Sequence, residues 1–116
     1  MAAKRWWQLI FKNAKRNIKV MSEIIIHRKN EGFAGFFKYV ILLNGKKITS
    51  LSNGETKKID LKSGIYNLQA KSIGIDSQKL DFDISDRETK KFVVSSFKNG
   101  FWKSYLKITE LEKQNL

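Results

Sequence analysis

Residues 44–66 read NGKKITSLSNGETKKIDLKSGIY, and this stretch decides the fold. Asn44-Gly45, Asn53-Gly54 and Ser63-Gly64 punctuate short runs in which apolar and polar residues alternate. An Asn-Gly pair suits the type I′ turn of a tight β-hairpin, because glycine has no Cβ to clash at positive φ and asparagine tolerates the left-handed region. Strict alternation is the period of a strand with one buried face. The stretch therefore reads as a ladder of antiparallel strands.

The same period extends in both directions. The pattern predicts strands at about residues 23–28, 36–44, 46–51, 56–61, 66–73, 79–84, 90–97 and 101–109. In the fifth, Tyr66, Leu68 and Ala70 fall on one face and Asn67, Gln69 and Lys71 on the other. In the sixth, Leu80, Phe82 and Ile84 turn inward, leaving Asp81 and Asp83 in water. Asn99-Gly100 adds a hairpin signal before the last strand, and residues 30–35, with Gly32 and Gly35, read as a loop. Seven or eight short strands at close spacing predict an all-β antiparallel sandwich over residues 22–116.

Residues 1–21 follow another period. Trp7, Ile10, Phe11, Ala14, Ile18 and Met21 share one helical face, with Lys4, Gln8, Lys12, Lys15 and Lys19 on another. Six of the 23 basic residues and none of the 11 acidic ones lie in this head, so it carries half of the formal net charge of +12. The expectation is a basic amphipathic helix.

These bulk features bound the function. At 116 residues the chain is one domain. Cysteine is absent, which removes disulfides and thiolate ligands. A net charge of +12 favours polyanions: anionic lipid, nucleic acid or acidic proteins. The apolar stretch from Trp6 to Phe11 is broken by Gln8 and followed at once by Lys12, too short for a signal peptide or a membrane span. The expected location is cytoplasmic, peripheral to a membrane.

The turn pattern supports a resemblance. MSEIIIHRK, FKYVILLNGKKI and LSNGETKKIDLKSGIYNLQAK, between Ser22 and about Val94, resemble the small bacterial β-sandwich domains of the PEGA type. The matching residues are turn glycines and core apolar positions, and Lys62-Ser63-Gly64-Ile65 stands where the family's tetrapeptide would be. The resemblance implies a sandwich fold and a non-catalytic module; it carries over no functional residue. Such domains often begin just before the first strand, where Met21 stands. Residues 1–20 are then either an added helix or the product of an upstream start.

Chemistry-bearing constellations are sparse. The single histidine, His27, alternates with Ile24 and Ile26 and so faces the less buried side of its strand, where a catalytic triad is not expected. Asp81, Asp83, Asp86 and Glu88 could offer oxygen ligands to a hard cation, but they lack EF-hand spacing, and a solvated strand face explains them. No glycine opens a helix after a strand, as a phosphate loop requires. No catalytic, cofactor-binding or metal-binding residue is assigned, and no small-molecule substrate is evident.

Contact with partners is expected instead. Trp6, Trp7, Ile10, Phe11, Lys12, Lys15 and Lys19 form the candidate surface of the head. Docking on the sandwich ranks first for it, binding to an anionic membrane second and to nucleic acid third. In the tail, Phe97, Phe101, Trp102 and Tyr105 crowd together, and Phe101 and Tyr105 fall on the face opposite Leu106 and Ile108. That face is expected to meet the head, a second copy of the chain or another protein, with packing within the chain the first choice.

Overall fold

The computed structural model describes residues 21–32, 37–99 and 103–112. Among them the chain is all β, with nine strands. These are β1 (Ser22–Arg28), β2 (Tyr39–Leu43), β3 (Lys46–Leu51), β4 (Thr56–Leu61), β5 (Gly64–Ser72), β6 (Ile75–Asp76), β7 (Leu80–Ile84), β8 (Thr89–Asn99) and β9 (Lys103–Leu111). The expected amphipathic helix over residues 1–21 lies almost entirely outside the described residues.

Two sheets form a sandwich-like pair. One has the order β4-β1-β8-β9; in the other β3-β2-β5-β6 run side by side and β7 also pairs with β5. Alternation works as the sequence predicts. Ile24 and Ile26 of β1, Phe92 and Val94 of β8 and Leu106 of β9 turn inward from the first sheet. They meet Tyr39, Ile41, Leu51, Leu68, Ala70, Phe82 and Ile84 of the second. Phe82 joins the layers, 5.0 Å between centroids from Phe92 and 5.7 Å from Tyr66 on its own sheet. A buried ring of this kind contributes about 1.5–3 kcal/mol through area removed from water.

Three expectations need correcting. The strand count is nine among the described residues, because the 75–76 segment pairs briefly with the end of β5 before β7 takes over the same edge. The sheets are not purely antiparallel: β1 and β8 run parallel, Glu23 beside Thr89 and Arg28 beside Val94. The turn signals also differ in kind. Asn44 (φ 51°) and Gly45 (φ 82°) are both left-handed and close the β2–β3 hairpin, with Asn44 Oδ1 accepting from the Asn67 amide at 2.9 Å. At Asn53-Gly54 only the glycine is left-handed (φ 75°), and the chain passes from β3 in one sheet to β4 in the other. Ser63-Gly64 likewise joins β4 to β5 across the sheets.

One turn design occurs twice. Glu55 N donates to Ser52 O at 2.9 Å while Ser52 N donates to Glu55 Oε1 at 2.8 Å. Ser85 and Glu88 repeat the exchange, at 3.1 and 2.9 Å. These turns feed β4 and β8, the two neighbours of β1. Each is tied to β1: Arg28 N donates to Glu55 O at 2.8 Å, with Asn53 bonding Asn30 and the Glu31 amide just beyond the strand, and the buried Ser22 hydroxyl donates to Ser85 O.

Candidate functional site

Two places on the described framework gather polar and aromatic side chains. The first closes one end of the sandwich. Alternation along β1 carries Arg28 inward after Ile24 and Ile26, and its side chain is fully buried. Its guanidinium lies 3.5 Å from the centroid of the Tyr39 ring and donates to Phe37 O at 2.6 Å and Leu51 O at 2.9 Å. An Arg on one sheet thus binds carbonyls at the edge of the other. Glu31 completes the clamp: Oε1 accepts from the Tyr39 hydroxyl at 2.9 Å, and Oε2 from the Ser96 hydroxyl at 2.6 Å and amide at 2.9 Å.

Burial raises the Glu31 carboxyl, but the bonds from Ser96 and Tyr39 and the Arg28 charge outweigh it, so the acid titrates below its ordinary value. The Tyr39 phenol is pushed up, by burial first and then by its bond to the Glu31 carboxylate; a lowering contribution from Ser96 and the Arg28 charge does not cancel this. Each group stabilises the next inside a low-dielectric end cap, so the arrangement is structural and its donors and acceptors face one another.

The second place is an open groove of about 680 Å³ between the β6–β7 connection and β9. Ser77 builds it. At the gap between β6 and β7, Ser77 N donates to Ala70 O at 2.8 Å, its Oγ accepts from Ala70 N at 2.8 Å, and its carbonyl accepts from Gln69 Nε2 at 3.0 Å. The same residue bridges in parallel to Leu106 of β9, linking the two sheets. Asp76, Gln78 and Lys79 then stand on one wall, with Phe97, Tyr105 and Lys107 on the other. Phe97 and Tyr105 are cross-strand partners, stacked 5.4 Å apart at 30°. Phe97 remains 44% exposed.

Of the residues singled out in the sequence, Tyr105 is in this groove. Trp6, Trp7, Ile10, Phe11, Lys12, Lys15, Lys19 and Phe101 lie outside the described residues. His27 is exposed, its Nδ1 2.6 Å from Thr56 Oγ1. The four carboxylates disperse: Asp81 and Asp83 face water on β7, Asp86 lies in a turn and Glu88 closes its own turn. Asp83 reaches Lys90 at 3.9 Å, and Lys90 also approaches Glu110 at 3.7 Å. No three His, Asp or Glu residues are grouped to hold a metal among the described residues. No helix there is long and apolar enough to cross a membrane.

Sequence reasoning does not find the clamp or most of the groove. Arg28 left a trace: counting by two from Ile24 places a charge at a core position, which requires a buried partner. Lys79, Gln78 and Lys107 left none, being ordinary exposed residues whose meeting depends on the Ser77 junction. Comparison with family models, curated proteins and solved structures finds no match to this chain.

Proposed function

We propose that the chain is a non-enzymatic binding or scaffolding module for an anionic partner, held at an anionic membrane surface by its basic head. The observation that carries this reading is the charge distribution: half of a +12 net charge in residues 1–21, without one acid, interleaved with Trp6, Trp7, Ile10 and Phe11. Lysines beside Trp and Phe are the composition of interfacial segments. The framework supports the reading by spending its buried polar groups on itself: Arg28, Glu31, Tyr39 and Ser96 bond one another or nearby carbonyls. The resemblance of residues 22–94 to PEGA-type domains points the same way, toward a module that carries contacts.

Vesicle sedimentation tests this. The protein pellets with anionic but not neutral vesicles, and Trp emission shifts to the blue. Replacing Lys12, Lys15 and Lys19 with Gln removes about 1 kcal/mol each, together about a hundred-fold in partitioning. Equal pelleting on neutral vesicles, or an unchanged triple variant, rejects the membrane reading.

A further inference from the structure

The groove at the β9 edge has a chemistry that the membrane reading does not use. Its aromatic pair sits on a two-strand platform, because Phe97 and Tyr105 face each other across the β8–β9 ladder. The two rings stack on each other, Phe97 keeps 44% of its surface exposed and Tyr105 is half-buried. Lys107 lies two residues along β9 from Tyr105, about 7 Å at strand rise, and Lys79, also exposed, lines the groove from the 76–80 segment. Between them Gln78 offers an exposed amide, both donor and acceptor, and Asp76 an acceptor. Leu80 and Ile108, half-buried against the core, add apolar surface to its lining. About 680 Å³ lies within the usual size of a ligand site, about 300–1,000 Å³.

We infer that this groove binds single-stranded nucleic acid, with an unpaired base stacked on the Phe97–Tyr105 pair and the flanking phosphates on Lys79 and Lys107. Charge complementarity selects the ligand. Two lysines face one carboxylate in the groove of a chain of net charge +12, which favours a polyanion over a neutral sugar. An added peptide strand is disfavoured, because Ser77 already occupies the edge of β9 at Leu106. A duplex is disfavoured because its bases are stacked on each other and cannot cover the platform, whereas a single strand offers π-faces of every base. Asp76 and Gln78 then meet the base edge, accepting from exocyclic amino groups. The inference stands without the membrane reading, since it involves no residue of the head.

The test is fluorescence anisotropy of a short labelled single-stranded oligonucleotide, and of its duplex, with the full-length protein at several salt concentrations. Phe97→Ala weakens single-strand binding about ten-fold or more, the usual loss of one stacked base, and leaves duplex binding as it was. Lys79→Gln and Lys107→Gln, both exposed and remote from the core, each weaken it about five-fold at about 0.1 M salt and make the salt slope shallower by about 0.7. Every variant keeps the head, so these losses report on the groove alone. The inference is overturned if all three variants bind the single strand as the parent does, or if binding is lost only when Lys12, Lys15 and Lys19 are neutralised. It is equally overturned if Phe97→Ala spares oligonucleotide binding and instead releases the protein from anionic vesicles.

Discussion

Ser96 and Phe97 are neighbours on β8 and belong to opposite worlds. Ser96 turns inward and gives both its amide and its hydroxyl to the Glu31 carboxylate; Phe97 turns outward onto Tyr105 and stays half-exposed. The two tyrosines show the same contrast. Tyr39 is buried under the Arg28 guanidinium and donates to Glu31, whereas Tyr105 lines an open groove. In the clamp, polar groups are buried and saturated by one another. In the groove Asp76, Gln78, Lys79 and Lys107 are exposed, with their hydrogen-bonding capacity turned to solvent. Buried polar groups cost free energy unless paired, so the clamp is a framework device; exposed aromatics and lysines add little to folding, so the groove is not needed to hold the framework.

Substitutions can break this contrast or sharpen it. The largest effect is expected at Arg28. Arg28→Ala removes a fully buried cation that stacks on Tyr39 and satisfies two carbonyls. Loss of one partner from such a buried polar cluster costs about 3–5 kcal/mol, read as a lower denaturation midpoint. If stability is unchanged, the clamp is not holding the end of the sandwich.

Glu31→Gln comes next. It removes the charge that three donors address and costs about 1–3 kcal/mol at neutral pH. The pH dependence has a definite sign. The Glu31 carboxyl is lowered from its ordinary value of 4.5 in the folded state, so its contribution is complete above that value and is lost as pH falls through the folded pKa. The stability gap between parent and Glu31→Gln should therefore close on acidification below about pH 4.5. A gap that widens there, measured by denaturant unfolding across pH, would reverse the assignment.

The smallest effects separate the two regions most cleanly. Ser96→Ala loses one hydroxyl donor to Glu31 and about 1 kcal/mol of stability, with oligonucleotide affinity unchanged. Lys107→Gln does the opposite: stability within about 0.5 kcal/mol, weaker single-strand binding. If both variants move both quantities, clamp and groove are one unit and the contrast fails.

The legibility of the molecule follows the same division. Inward faces such as Leu80, Phe82 and Ile84, or Tyr66, Leu68 and Ala70, are written locally, because successive side chains on a strand must alternate. Asn44-Gly45 is legible for the same reason, since its positive φ values are a property of two residues. Asn53-Gly54 looks the same in sequence and is not a hairpin: its asparagine side chain is spent on Asn30 and the Glu31 amide, more than twenty residues away in sequence. The groove was half visible. Tyr105 stood out as an aromatic on the face opposite Leu106 and Ile108, but its partners across the groove come from the 76–80 segment, and nothing in that segment announces the buried Ser77 that brings it to β9.

By itself, then, the sequence determined most of the strand-forming segments, the buried face where alternation is strict and the imbalance of charge, since alternation, turn preference and composition are local or summed quantities; the short β6 was not among them. Tertiary structure alone decided which sheet each strand joined, the parallel pairing of β1 with β8, the meeting of Arg28, Glu31, Tyr39 and Ser96, and the groove. Those depend on which strand edges and buried polar groups find partners far along the chain, and pairing of that kind is settled only when the whole core closes.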